Sequence, residues 1–205
     1  MTAAERAALL LLADSQLLFR PASLPMVREH FGQRVVRAAY VGASNEHQPE
    51  FYQLACAALE SLLGRVIPCT FIRSPADIDE SLPDLLILAG GNVSLGWAFL
   101  QQPAVATWLA RIQQNPAALV IGVSAGAIQL ARGCDPDRDN PVAQSFLDWF
   151  PHFVAVHEEQ QQWPSRKVWQ AGGQQGDFVA LPFGGGLWIK GNHYQSVGVG
   201  PQLSR

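Results

Sequence analysis

The segment Leu119-Val-Ile-Gly-Val-Ser-Ala-Gly-Ala127 decides the fold, because it joins a buried strand to a helix through a sharp turn. Leu119 to Val123 is a continuous apolar run, typical of a strand that is covered on both faces of a parallel sheet. Gly122 to Gly126 fits the pattern G-x-S-x-G, which exposes a serine when it lies between a strand and a helix. We therefore predict that Ser124 projects at the carboxyl edge of the sheet, where ligands bind in open α/β folds. The alternative is a glycine-rich turn whose serine only caps the helix.

A second turn of the same kind lies one predicted strand earlier. Leu85 to Ala89 is another apolar run, and Gly90-Gly91-Asn92 follows it directly. Two glycines after a buried strand expose backbone N–H groups, which can form an oxyanion hole together with the N–H of Ala125. The alternative is an ordinary strand-to-helix turn in which Asn92 caps the helix.

Strand and helix patterns alternate along the first two thirds of the chain, which predicts an α/β domain with a mostly parallel sheet. The further predicted strands are Leu9 to Ala13, Val35 to Val41, and an edge strand at Val66 to Phe71, where Pro68 cannot donate a ladder hydrogen bond. The predicted helices are Pro49 to Leu63, and Val93 to Asn115 with a break at Pro103.

The last third of the chain has a different pattern. Gly133 to Pro141 is a polar loop, and short apolar pieces then alternate with glycines. We predict that these pieces, Phe178 to Leu181 and Leu187 to Ile189, form short antiparallel strands or hairpins at one edge of the sheet.

Length and composition limit the classes of protein to which the chain can belong. The 205 residues are 48% hydrophobic and 15% charged, which predicts one folded domain over residues 1–205. The net charge of -3 gives no basic excess for a nucleic-acid partner. No apolar run reaches the roughly 18 residues of a transmembrane helix, so we expect no membrane partner.

The cysteines favour a cytoplasmic protein with reduced thiols. Cys56, Cys69 and Cys134 are too few and too widely spaced for a disulfide framework or a zinc motif. No His, Cys and carboxylate cluster has ligand spacing, and the glycines at 184–186 lack a following helix. We therefore expect neither a metal nor an organic cofactor.

A nucleophilic serine needs a base, and the chain contains five histidines. His157 follows a predicted short strand at Val154 to Val156 and is the first choice, and His193, near the C-terminus, is the second. The acid that orients the base is expected in the loop after the serine. Asp135, Asp137 and Asp139 all lie there, and the spacing alone does not choose among them.

Taken in their order along the chain, the motifs resemble those of the dipeptidase E and cyanophycinase family of serine peptidases. These peptidases have a class I glutamine amidotransferase-like fold. The resemblance is carried by Gly122-Val-Ser-Ala-Gly-Ala127 and Leu88-Ala-Gly-Gly-Asn92. Three weaker matches support it: Leu9 to Ser15, Pro151-His-Phe153 followed by His157, and Leu181-Pro182 with the late strand Leu187 to Lys190.

The resemblance implies a three-layer sandwich and a serine hydrolase that cleaves a small peptide substrate, at a peptide or isopeptide bond next to an aspartyl residue. By that resemblance Ser124 is the nucleophile and His157 the general base. Gly91 and Ala125 would supply the oxyanion hole, and Asn92 would contact the substrate. Asp139 lies in the loop after the serine, and its position is similar to that of the orienting acid in the dipeptidases of this family.

Two other functions stay open at this point. The first is a divergent binding protein on the same fold, which proximity of Ser124 and His157 would disfavour. The second is an α/β-hydrolase esterase, whose late histidine would be His193.

Aspartyl specificity needs a cation, for which Arg132, Arg138 and Arg166 are candidates. The oligomeric state and the true substrate are not predicted.

Overall fold

The computed structural model describes residues 6–173 and 176–204, and this part of the chain forms twelve strands and six α-helices. The strands are β1 (Ala8–Leu12), β2 (Ala38–Val41), β3 (Cys69–Ile72), β4 (Leu85–Leu88), β5 (Leu119–Val123), β6 (Arg132–Gly133), β7 (Gln144–Ser145), β8 (Phe153–Val156), β9 (Phe178–Leu181), β10 (Gly185–Lys190), β11 (His193–Gly198) and β12 (Gln202–Ser204). The α-helices are α1 (Pro25–Phe31), α2 (Pro49–Leu63), α3 (Val93–Leu100), α4 (Pro103–Gln113), α5 (Ala125–Gln129) and α6 (Ser165–Ala171).

The central sheet has seven strands in the order β11-β10-β1-β5-β4-β2-β3. Neighbours from β1 to β3 pair in parallel, whereas β10 pairs antiparallel with both β1 and β11. The mostly parallel sheet predicted from the sequence is therefore confirmed. As Pro68 indicates, β3 is an edge strand, although it begins at Cys69.

Helices cover both faces of this sheet, because successive side chains of each buried strand point to opposite sides. Leu9 and Leu11 pack in the apolar cluster that contains α3, α4 and α5. Leu10 and Leu12 pack in the cluster that contains α1 and α2. The three-layer arrangement is thus confirmed, and the strands read as continuous apolar runs because neither face meets water.

The last third of the chain builds a second sheet of five strands in the order β12-β9-β8-β6-β7. The prediction of short antiparallel strands is confirmed for β10 and β11, and Phe178–Leu181 (β9) also pairs antiparallel, with β12. Its position differs from the prediction, because β9 lies in the second sheet, where its other neighbour β8 is parallel. The reason is a separate apolar cluster, in which Phe153 and Phe178 stack and Trp169 of α6 packs on them.

Within the described ranges, no helix combines the length and the apolar content that a bilayer crossing requires. All three cysteines are free thiols, and Cys134 is buried. Its thiol hydrogen-bonds with the Ser165 hydroxyl, while burial raises the pKa of Cys134 to about 11. This thiol is therefore protonated at neutral pH and contributes to packing.

Candidate active site

Ser124 lies between β5 and α5 in a strained backbone conformation. Its φ angle is 50° and its ψ angle is -109°, a combination that residues other than glycine rarely adopt. The Ser124 N–H donates to the carbonyl of Leu12 at 2.8 Å, which ties the turn to the carboxyl end of β1. The turn leaves the serine partly exposed at the edge of the sheet.

The two glycines of the G-x-S-x-G pattern are required by close backbone packing. A Cβ atom on Gly126 would overlap the carbonyl oxygen of Leu88 in β4. A Cβ atom on Gly122 would lie 2.6 Å from the carbonyl oxygen of Gly126. Helix α5 therefore begins directly against the sheet, and its first turn faces the end of β4.

His157 comes from the second sheet and meets Ser124 across the edge of the first. It follows β8, and its N–H donates to the carbonyl of Leu181 at 2.9 Å, which anchors it to the end of β9. Its Nε2 lies 2.8 Å from Ser124 Oγ, within hydrogen-bond reach for a nucleophile and its base. The structure thus brings together the two residues that the sequence analysis placed first.

Two adjacent glutamates hold the loop that follows His157, and the sequence analysis did not single them out. The buried carboxylate of Glu158 accepts hydrogen bonds from the Ser165 hydroxyl and, at 3.1 Å, from the Ser165 N–H. Glu159 accepts from the N–H of Phe183 at 3.0 Å. A polar, glutamine-rich stretch gives no pattern from which a buried carboxylate could be predicted, so this anchoring appears only in three dimensions.

His193 lies at the other edge of the sheet from Ser124. Strand β10 runs antiparallel to β1, with Leu9 opposite Ile189, and His193 is paired with Lys190. The histidine is therefore near the amino end of β1, whereas Ser124 follows the carboxyl end of the neighbouring β5. This position gives no support to an esterase arrangement that uses His193.

The turn at Gly90 and Gly91 packs against the nucleophile. A Cβ atom on Gly90 would lie 3.2 Å from the Cβ of Ser124. Among the described residues, the N–H groups of Gly91 and Ala125 donate no hydrogen bond, so both are available to an anion. Ser44 holds the turn from behind, because its carbonyl accepts from the Asn92 N–H at 2.7 Å.

Gln129 is a further support of this turn that the sequence analysis missed. Its side chain is 1% exposed and donates to the Ser44 hydroxyl at 3.2 Å and to the Val93 carbonyl at 3.0 Å. The amide thereby links α5 and α3 to the loop after β2. The sequence did contain one indication of this role. A single glutamine in an otherwise apolar helix indicates a buried side chain, and a buried polar group needs hydrogen-bond partners.

Asn92 caps helix α3. Its side-chain oxygen accepts a hydrogen bond from the Leu95 N–H at 2.9 Å, which is the capping alternative left open above. The role of Asn92 in binding substrate is therefore not supported by its hydrogen bonding, because the oxygen already serves the helix.

The structure does not bring Asp139 to His157, contrary to the expected role as orienting acid. Asp139 is exposed in the loop between β6 and β7 and has no hydrogen bond to His157. The buried acid of this loop is Asp135, which accepts from the Ser94 hydroxyl and from the Asp137 N–H. Asp135 fastens the loop to α3, so the residues after it turn towards solvent. Among the described residues, no carboxylate accepts a hydrogen bond from His157 Nδ1.

Replacement of the two acids should therefore separate structure from catalysis. We expect Asp139→Asn to change kcat/KM by less than about threefold, because the side chain is exposed and pairs with none of the residues in 6–173 and 176–204. Asp135→Asn should lower the free energy of unfolding by about 1–3 kcal/mol, since it weakens a buried hydrogen-bonded network. Thermal denaturation and peptide hydrolysis measure the two effects. A large loss of kcat for Asp139→Asn at unchanged stability would restore Asp139 as the orienting acid.

Gly91→Ala should damage both stability and turnover. The φ angle of Gly91 is 129°, and a Cβ atom there would overlap the Ser44 carbonyl oxygen. We expect a loss of about 2 kcal/mol or more in the free energy of unfolding and a fall of at least about tenfold in kcat, because the N–H shifts. Gly32→Ala is the matched control, since Gly32 also has a positive φ but no atom within 4 Å of a new Cβ. Wild-type turnover in Gly91→Ala would contradict this role of the turn.

The cleft around Ser124 and His157 has a volume of about 570 Å³ and an acidic lining. Asp14, which accepts from the Gln16 N–H at 2.8 Å, and Glu159 both line it. No arginine or lysine is among the described residues that line this cleft. Nor do the described residues include a cluster of three or more histidine, cysteine and acidic side chains that could hold a metal ion.

Comparison with solved structures identifies the class of fold. A peptidase from an acI-B1 Actinobacterium superposes with a TM-score of 0.72 at 15% identity, over 99% of this chain and 96% of that chain. A "Putative Peptidase E Protein" from Listeria monocytogenes EGD-e superposes with a TM-score of 0.59 at 17% identity, over 95% of this chain and 99% of that chain. No family model matches the sequence, and no curated protein matches it. The chain therefore has a peptidase E-type fold, as its motifs predict.

Proposed function

We propose that this chain is a serine peptidase with Ser124 as nucleophile and His157 as general base. The observation that carries the proposal is the 2.8 Å distance between Ser124 Oγ and His157 Nε2. This contact favours hydrolysis over a binding function on the same fold, because a binding protein has no need of a serine aligned with a base. The peptidase E-type fold supports a peptide as the substrate.

The reaction follows from the geometry in two steps. Ser124 Oγ attacks the peptide carbonyl while His157 Nε2 takes its proton, and the N–H groups of Gly91 and Ala125 stabilise the oxyanion. His157 then gives this proton to the leaving amine, and an acyl-enzyme forms on Ser124. In the second step His157 takes a proton from water, whose oxygen attacks the acyl group. The bond between the acyl carbon and Ser124 Oγ then breaks, His157 returns the proton to Ser124 Oγ, and the acid is released.

An aspartyl preference, which the family resemblance implies, has less support than peptidase activity. The three arginines considered for it are engaged elsewhere: Arg132 pairs with Asp148, Arg138 with Asp135 and Ser94, and Arg166 with Ser204. The cleft instead carries the carboxylates of Asp14 and Glu159, which repel a substrate carboxylate. The proposal therefore concerns peptide bonds without a requirement for aspartate.

Hydrolysis of a mixed dipeptide library by the purified chain tests the proposal. We expect free amino acids to accumulate, with p-nitrophenyl acetate as the ester substrate for comparison. If none of the dipeptides is cleaved while the ester is hydrolysed rapidly, the peptidase proposal is overturned in favour of an esterase. Failure on both substrates would favour a binding protein.

A further inference from the structure

An apolar cavity of about 430 Å³ opens beside the candidate oxyanion turn, on the face of the sheet that α2 covers. Phe51, Leu54 and Ala55 of α2 form one wall, while Ile87 of β4 and Tyr40 of β2 form the floor. Its volume lies in the range of roughly 300–1,000 Å³ that is usual for small-ligand pockets. This space is not used by the catalytic steps described above.

The cavity adjoins the cleft of the nucleophile. Ser15 and Val123 line both spaces, and Gly90 and Gly91 form the part of the cavity wall nearest Ser124. Because the turn at Gly90 packs on Ser124, a group bonded to a carbonyl at the nucleophile has a short path into the cavity. The cavity therefore stands where a substrate side chain next to the scissile bond would be placed.

Large apolar side chains at the mouth are left in contact with water. Phe19, Phe51 and Leu54 are 46%, 46% and 51% exposed, and all three line this one cavity. Clustered exposure of this kind marks a binding surface, whereas single exposed apolar residues are ordinary. Filling the cavity would remove these side chains from water.

The chemistry of the lining selects an uncharged, apolar occupant. The described lining residues include no charged side chain. The phenol of Tyr40 is neutral at pH 7, as an ordinary tyrosine is, and burial raises its pKa further. Its oxygen accepts a hydrogen bond from Asn45 at 2.7 Å. A carboxylate would lose its hydration here without gaining a cation, whereas a leucine or phenylalanine side chain would gain apolar contact.

We propose that this cavity is a specificity subsite that binds a bulky apolar side chain adjacent to the scissile bond. The inference rests on the proposed peptidase function and names its substrate class as peptides with a leucine-like or phenylalanine-like residue at the cleaved bond. Selection comes from the apolar walls of α2 and β4, so aspartyl peptides are poor substrates.

Filling the cavity tests this assignment. The substrates are Leu-Ala, Phe-Ala, Asp-Ala, Lys-Ala and the same four dipeptides in reversed order, with Ala-Ala as reference. The apolar residue should matter on only one side of the cleaved bond. For peptides with that residue order, we expect kcat/KM of the wild-type chain to be at least about tenfold higher with leucine or phenylalanine than with aspartate. Ala55→Phe should lower kcat/KM for those peptides at least about tenfold and change Ala-Ala much less. Ala57→Phe is the matched control, because Ala57 is exposed on the same helix and does not line the cavity.

A second variant keeps the test decisive if Ala55→Phe fails to fold. Leu54→Ser changes a half-exposed residue at the mouth and should lower kcat/KM for the apolar peptides about three- to tenfold at little cost in stability. A preference of the wild-type chain for the aspartyl peptides would overturn the subsite while leaving the peptidase intact. An apolar preference that is unchanged in both Ala55→Phe and Leu54→Ser would overturn it equally. Absence of cleavage of all nine dipeptides by the wild-type chain would instead overturn the proposed function.

Discussion

Ser124→Ala should abolish peptide hydrolysis, with a fall of about a thousandfold or more in kcat. The variant removes the only atom that can form the acyl-enzyme in the proposed mechanism, and what remains is binding and oxyanion stabilisation. The fold should persist, because the backbone N–H of Ser124, rather than its hydroxyl, makes the bond to Leu12. We expect the free energy of unfolding to change by less than about 1 kcal/mol.

A fluorophosphonate probe read by intact mass gives an independent measure of the same serine. The wild-type chain should gain one adduct that maps to Ser124, and Ser124→Ala should gain none. Ser145→Ala is the control, since Ser145 is exposed on β7, within the second sheet. Equal hydrolysis by the wild-type chain and Ser124→Ala would be incompatible with the serine mechanism.

The parts of the fold that could be predicted are those whose determinants are local in the chain. The strand Leu119–Val123 and the helix Pro49–Leu63 have the predicted bounds, because an apolar run or a helical apolar stripe identifies each one. Pro103 separates α3 from α4 as expected, since proline fits the first turn of a helix. The parallel order followed from the alternation of the two patterns.

The parts that could not be predicted depend on partners distant in the chain. Nothing in Phe178–Leu181 distinguishes an edge strand of the central sheet from a strand of a second sheet, because both are short apolar runs. The choice is made by stacking with Phe153 and packing with Trp169, contacts that the sequence does not pair. Parallel pairing of β8 with β9 then places His157 beside Leu181.

The candidate site divides in the same way. Ser124 and the turn at Gly90 and Gly91 could be located, because each follows a recognisable strand within a few residues. The sequence could not decide which aspartate was to be expected beside the base, since three aspartates in one loop have equivalent turn chemistry. The structure separates them by burial: Asp135 packs against α3, and Asp139 faces water. Glu158 was missed because a buried carboxylate among glutamines has no local pattern.

His157 provides the second large expected effect, and its backbone determines which substitution is informative. The φ angle of His157 is 44°, a left-handed conformation that asparagine tolerates better than alanine. His157→Asn therefore preserves the loop and retains a polar side chain, but its amide cannot accept the proton from Ser124. We expect His157→Asn to lower kcat by about a thousandfold while the free energy of unfolding changes by less than about 1 kcal/mol.

His193→Asn is the matched control, because it makes the same chemical change at the opposite edge of the sheet. It should leave kcat within about twofold of the wild-type value. The ratio of the two variants measures the position of the base independently of the identity of the substrate. If His193→Asn proved the more damaging, the proton would have to leave Ser124 by a route that the 2.8 Å contact with His157 does not provide, and the proposed mechanism would fail. If both were inactive at normal stability, hydrolysis would depend on a histidine that does not contact the serine.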